Sequence, residues 1–197
     1  MTTIATPTAL PILTAAPRKK LWTRDEARFI QNSGLLDDGP YELIEGELLL
    51  KVPKNEPHVF STAMARNWAE GAFGALFVRS QDPVALDEHN DPEPDVVVLS
   101  KTMREYLALG TPPVEDVRLL IEVSDSTLEF DLNRKATLYA HAGVVEYWVL
   151  DLPNRRLHIH LDPSEGGYNR VLILAESQSI APLANPDAQV IVSALLP

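Results

Sequence analysis

The stretch from Val117 to Asp151 constrains the fold more than any other part of the chain. It opens on the apolar run VRLLIEV, passes through a helical segment from Leu132 to His141 that Gly143 closes as a C-terminal cap, and ends on a second apolar run, VEYWVLD. Strand at 117–123, helix at 132–141 and strand at 145–150 form a βαβ unit, a crossover that is right-handed in nearly all cases. Alternation along the first strand places Arg118, Leu120, Glu122 and Ser124 on one face and Leu119, Ile121 and Val123 on the other. Glu122 is the anomaly, because an acid is rarely found on a strand with two apolar faces.

A second run of this kind lies upstream. PEPDVVVLS, residues 92–100, carries Asp95 at the head of the strand Asp95 to Leu99. If this strand and 117–123 are antiparallel neighbours, the start of one lies beside the end of the other, and Asp95 and Glu122 face each other at about 4.8 Å strand spacing. Two carboxylates so close repel unless something positive lies between them. Mg²⁺, which takes oxygen ligands and keeps several waters, suits such a pair. The plain alternative is two solvated strand ends.

The rest of the chain supplies the partners for this sheet. Thr23 with Glu26 is a capping-box pattern that opens a short helix through about Gln31, with Gly34 to close it. YELIEGELLLKV alternates about Glu45-Gly46 and predicts a hairpin. From His58 to about Phe77 there is no Pro, and Phe60, Met64 and Trp68 recur every four residues, which predicts an amphipathic helix weakened by Gly71 and Gly74. Strand candidates follow at 77–80 and 84–86, then a short helix in TMREYLAL. After VEYWVLD, RRLHIHL and YNRVLILA read as strands, joined by turns at Pro153-Asn154 and at Pro163 with Gly166-Gly167. The order helix, three strands, helix, strand predicts a mixed α/β sheet. Residues 1–20 are rich in Thr, Ala and Pro and read as a mobile tail ending in Arg18-Lys19-Lys20; residues 21–197 read as a single domain.

Taken together, YELIEGEL, Pro57-His58, PDVVVLS, IEVSDST with Asp131, Lys135 and Tyr139, and GVVEYWVLD resemble the Uma-two family of restriction-endonuclease-like bacterial proteins, within the PD-(D/E)xK nuclease superfamily. The resemblance runs from about Tyr41 to Asp151. It implies an αβββαβ core, here with an N-terminal helix and hairpin extension, together with Mg²⁺ or Mn²⁺ dependence and phosphodiester hydrolysis. The superfamily's lysine would fall at 124, where this chain has Ser124; the lysine can migrate to the following helix, and Lys135 is the candidate. Asp95 and Glu122 would then hold the ion, with the Val123 carbonyl as a further ligand, and Lys135 would orient a water or stabilise charge on phosphorus. Glu42 matches the family's acid in the first block.

Each assignment has a plainer competitor. Lys135 reads equally as an exposed helical lysine, Glu42 as the polar face of a hairpin, His58 as a helix-start residue rather than a contact to the site, and Tyr139 as a core aromatic. Asp125 reads as a loop acid, Asp131 as an N-cap and Asp151 as a turn former before Pro153. His158 and His160 alternate on one strand face and read as a polar sheet face.

Composition limits the function. The chain has no Cys, which excludes disulfides and thiolate metal sites, and its apolar runs fall short of the ~20 residues of a membrane span. Without a basic leader, a cytoplasmic protein is the expectation. The net charge of -11 opposes general affinity for nucleic acid, unless Arg18, Lys19, Lys20, Arg24, Lys51 and Lys54 gather into a patch. Three functions stay open: a Mg²⁺-dependent endonuclease on DNA, helped by homodimerisation; a catalytically silent binding module; and a phosphodiesterase on a small nucleotide.

Overall fold

The computed structural model describes residues 17–36 and 39–197. Residues 1–16, most of the expected tail, lie outside the described residues; residues 17–20 are irregular, with Lys19 paired to Glu47 and Lys20 Nζ 2.6 Å from Glu26.

Helix α1 (Arg24–Ser33) has the expected capping box at Thr23 and Glu26 and ends on Gly34 in the left-handed region. The hairpin of β1 (Tyr41–Ile44) and β2 (Glu47–Leu50) turns at Glu45 and Gly46, both with positive φ (52° and 73°), as a two-residue turn matched to strand twist demands. Gly46 is also required by space, since a Cβ there would lie 2.7 Å from Leu21 Cβ.

Helix α2 (Glu56–Phe73) starts two residues earlier and ends four earlier than the sequence predicts. Asn55 caps it by accepting the His58 N–H at 3.1 Å, and Pro57 sits in the first turn, where a missing N–H costs nothing. Its fully buried line is Ser61, Thr62, Ala65 and Ala69 rather than the expected Phe60, Met64 and Trp68; Phe60 is 45% exposed. Small residues let the helix approach the sheet, and Trp68 reaches from the flank to stack on Trp148 at 5.3 Å.

The central sheet has the order β3 (Val78–Arg79), β4 (Val96–Leu99), β5 (Val117–Ser124), β6 (Glu146–Asp151), β7 (Arg156–Ser164), β8 (Gly167–Ala175). Only β5 and β6 are parallel, as the βαβ reading requires; every other pair is antiparallel. Residues 84–86 do not form a strand. Val84 is buried and Ala85 makes a single bridge to Pro113, so an apolar run that looks like a strand is a core-packed loop. A two-stranded piece, β9 (Ser179–Ile180) with β10 (Val190–Ile191), lies near the C-terminus.

Two apolar layers sandwich the sheet. Ala65, Ala69, Leu119, Ile121, Val123, Trp148 and the C-terminal Val192 and Leu195 pack on one face. The other face gathers Leu120, Tyr147 and Val149 of the sheet with Tyr106 of α3 (Met103–Leu109) and Ala136 and Tyr139 of the crossover helix. The alternation expected along this strand is thus observed from Leu119 onward, but a bulge in the pairing with β4 breaks it at Arg118, so that Val117 shares the face of Leu120.

The crossover helix begins earlier than expected and is not uniform. A turn of α-helix, α4 (Leu128–Phe130), runs into a π-helical turn (Asp131–Lys135) and then into α5 (Ala136–Ala142), which Gly143 ends in the left-handed conformation. The Ala136 N–H reaches back to the Asp131 carbonyl, one residue further than in an α-helix. Such π turns are often found at functional sites.

Candidate active site

The antiparallel register of β4 and β5, Val96 opposite Ile121, brings Asp95 beside Glu122 as the sequence predicts. The two are clipped reciprocally. Asp95 Oδ2 accepts the Val123 N–H at 2.9 Å, and Glu122 Oε2 accepts the Asp95 N–H at 3.3 Å. Neither is a solvated strand end, since Asp95 is 7% and Glu122 3% exposed.

Lys135 completes the group. It is buried, which removes the exposed-lysine reading, and its Nζ lies 3.0 Å from Glu122 Oε1, 3.1 Å from Glu42 Oε1 and 3.9 Å from Asp131 Oδ1. Tyr139, one helical turn on, donates its hydroxyl to the same Glu122 Oε1 at 2.9 Å, so it is both a core aromatic and a member of the site. Glu42 is carried in by the hairpin, where its Oε2 accepts the Glu93 N–H at 3.2 Å. His58, in the first turn of α2, places Nε2 3.2 Å from Asp95 Oδ2 while Nδ1 meets Thr62 Oγ1 at 3.4 Å. Gln81 Nε2 donates to the other Asp95 oxygen at 3.2 Å.

Sequence reasoning missed Gln81 and Thr127 and gave Asp131 and Ser124 other parts. Asp131 is not an N-cap: the helix begins before it, and its buried carboxylate accepts the Ser124 and Thr127 hydroxyls, each at 2.7 Å. Ser124, at the position where the superfamily carries its lysine, therefore holds an acid in place instead of supplying a cation. The spacing of four between Asp131 and Lys135 was the available signal, a helical neighbour pair. Asp125 is a loop acid as expected and meets the Asn55 side chain. Asp151 accepts the Asn154 N–H at 3.0 Å, as a turn former should. His158 and His160 are not on an open polar face. His158 Nε2 lies 3.2 Å from Asp151 Oδ2, and His160 is packed among the rings of Tyr147 and Tyr168.

The electrostatics follow from burial. Desolvation pushes the Glu122 carboxyl up to about 8, with Asp131, Asp95 and Glu42 adding to the rise against the opposing pull of Lys135. Burial would lower the Lys135 ammonium, but Glu122, Glu42 and Asp131 outweigh it and hold it above its usual range. Burial likewise raises Asp95, but the neighbouring His58, the Val123 N–H and Gln81 together bring it below the usual carboxylate range.

A cavity of about 350 Å³ opens over this group, with Glu42, His58, Asp95, Glu122 and Lys135 in its wall. That is the size of a small-ligand or nucleotide site. Among the described residues, no three His, Cys, Asp or Glu side chains are arranged to hold a metal ion. The donor chemistry nevertheless fits a hard divalent cation: four buried carboxylates, Glu42, Asp95, Glu122 and Asp131, line the cavity, three of them around Lys135, and all offer oxygen.

The expected basic patch is largely neutralised. Lys19 pairs with Glu47, Lys20 with Glu26, Arg24 with Asp91 and Lys51 with Glu93, while Lys54, in the cavity wall, has no ion pair among the described residues.

A mixed sheet crossed in αβββαβ order, with an acid heading the second core strand, an acid near the end of the third and a lysine from the following helix beside the latter, defines the restriction-endonuclease-like class of fold. The chain belongs to the Uma2 family, described as "Putative restriction endonuclease", which matches residues 31–193. No curated protein matches it. Its fold is similar to that of a crystal structure from Anabaena variabilis ATCC 29413 described as "a putative nuclease belonging to DUF820", at 13% identity and a TM-score of 0.63, over 88% of this chain and 96% of that one. No helix among the described residues is long and apolar enough to cross a membrane.

Proposed function

We propose that the cavity is the active site of a nuclease that hydrolyses phosphodiester bonds in DNA with the help of Mg²⁺ or Mn²⁺. The observation that carries this reading is the meeting of Lys135 with Glu122, itself clipped to Asp95, at the cavity wall, although position 124 holds Ser. Asp95 and Glu122, with the Val123 carbonyl, are the residues that would hold the ion. When bound, the ion supplies Lewis-acid polarisation of the phosphate and lowers the pKa of a bound water. The remaining steps belong to this chain. Lys135 stays protonated between its carboxylates and presents N–H donors where negative charge develops on phosphorus. Glu42, Asp131 and Tyr139 fix its position and that of Glu122, and His58 orients Asp95. Lys54 is the unpaired cation in the cavity wall and the natural contact for a substrate phosphate. Two copies acting together would present two such sites to a duplex.

The pairing of most surface cations with acids favours a second reading, a phosphodiesterase on a small nucleotide that needs little basic surface. The test is calorimetric titration of Mg²⁺ and Mn²⁺ into the wild type, Glu122→Ala and Asp95→Asn, with cleavage of plasmid DNA and of a small nucleotide diester followed in the same samples. Metal binding and plasmid cleavage that both vanish in the variants support the nuclease. Cleavage of the diester alone supports the second reading. A wild type that binds no metal and cuts neither substrate overturns both and leaves a silent binding module.

A further inference from the structure

The cavity has a wall that its charged group does not explain. Beside the acids and Lys135 it is lined by Leu50, Val52 and Phe130, large apolar side chains that belong to neither of the two layers packed on the sheet. Leu50 is 50% and Val52 53% exposed, and Phe130, half-buried, is the one Phe, Tyr or Trp in this wall. Its ring centre lies 5.7 Å from Arg134 Cζ and 5.9 Å from Lys135 Nζ, and Arg134 is itself fastened to Glu45 and Glu47 of the hairpin at 2.8 Å each. Lys135 Nζ is also 3.0 Å from Glu122, so the ring stands beside the charged floor rather than at a remote rim. The Asn55 and Asp125 side chains meet, which links residues 51–55 to the loop after β5 across the mouth.

We propose that this wall seats an unstacked nucleobase on the Phe130 ring, with Leu50 and Val52 against it, so that the site takes single-stranded DNA in preference to duplex. The inference rests on the nuclease reading and names its substrate class. The occupant follows from charge and shape together. A nucleotide joins a flat base to an anionic phosphate, and the cavity joins an aromatic wall to Lys54, a cation with no ion pair among the described residues. Stacking of a base on an aromatic side chain is favourable for every base, because each has a π face. A base inside a duplex has both faces in the stack and reaches Phe130 only by leaving it, a cost that an unpaired strand does not meet. The cavity volume of about 350 Å³ holds a nucleotide, not a helix. The pairing of most surface cations with acids points the same way, since a duplex is held through many phosphate contacts and a stacked base needs few.

The test is binding by the full chain in EDTA, followed by fluorescence anisotropy, so that neither metal nor cleavage enters. The probes are a short labelled single-stranded DNA, the same strand annealed to its complement, and the same strand with abasic sites throughout. The base-bearing single strand is expected to bind roughly 10-fold or more tightly than either of the others. Phe130→Leu, which keeps an apolar side chain at a half-buried position, is expected to retain the wild-type circular dichroism and to lose roughly 5–150-fold in affinity for that strand while binding the abasic one as wild type does. Phe130→Tyr keeps the ring face and is expected to bind like wild type. Lys54→Met is expected to weaken base-bearing and abasic strands alike, through their phosphates. The proposal is overturned by a single strand bound no tighter than its abasic counterpart or its duplex, a comparison that needs no variant. It is also overturned by a Phe130→Leu protein that keeps the wild-type preference, or by a wild type that binds none of the three probes. Its failure is distinct from that of the nuclease reading. A wild type that prefers the base-bearing strand yet cuts no DNA with Mg²⁺ or Mn²⁺ overturns the catalysis and keeps the seat, whereas cleavage without that preference does the reverse.

Discussion

At the cavity, Glu42, Asp95, Glu122, Asp131 and Lys135 are between 3% and 8% exposed, whereas three strands away along the same sheet Val171, Leu172 and Ile173 are between 38% and 55% exposed. One region hides charge and the other displays aliphatic surface. The costs differ in kind. A buried charge persists only with partners, and those are found: Lys135 for Glu122 and Glu42, two hydroxyls for Asp131, backbone N–H groups for Asp95 and Glu122. Exposed aliphatics at an edge carry little penalty in the isolated chain and mark where another chain can pair. The first inversion is stabilised within the molecule by those partners.

Removing the shared partner is the most direct way to break the comparison. Lys135→Met leaves three buried acids, Glu42, Glu122 and Asp131, without their shared cation and is expected to cost about 3–5 kcal/mol in urea unfolding, together with any cleavage activity. Unchanged stability would mean that the acids are wet. Ser124→Ala removes one of the two hydroxyls on Asp131 and is expected to cost about 1–3 kcal/mol, less than Lys135→Met because Thr127 remains.

His160 sharpens the comparison, being a buried ionisable group whose Nε2 has no hydrogen-bond partner among the described residues. Burial, with a smaller contribution from His158, lowers it to about 4. Between the unfolded value near 6.5 and about 4, the unfolded chain binds a proton that the folded chain refuses, so stability falls as pH drops through that window and levels off below it. His160→Phe should flatten that part of the profile measured by thermal unfolding; an unchanged slope would assign it to other groups. The smallest effect is expected at the edge. Ile173→Lys should leave the unfolding free energy of the monomer within about 0.5 kcal/mol of wild type, as befits a half-exposed side chain on an outer strand. A large loss there would mean that β8 is part of the core.

Much of the fold was legible because its signals are local. The capping box at Thr23, the turn at Glu45-Gly46, the cap at Gly143 and the apolar runs of β4, β5 and β6 each state their role within a few residues. The ends of α2 were not, since Pro57 in the first turn read as a boundary while Gly74, which ends the helix, read only as a weak point inside it. Nor was its buried face, because close approach to the sheet selects Ser61, Thr62, Ala65 and Ala69 over larger residues. Residues 84–86 read as a strand because burial alone produces an apolar run in a loop.

For the site, the chain alone places Asp95 beside Glu122 once β4 and β5 pair antiparallel, and its motifs pointed to Lys135, Glu42, His58 and Tyr139. The folded molecule alone shows that Lys135 is buried among three carboxylates, that Asp131 is one of them rather than a cap, and that Ser124 secures it. The physical reason is range. Caps, turns and alternation act over a few residues and are written in the chain, whereas which charges share a partner depends on a hairpin, a sheet and a π turn arriving at one place.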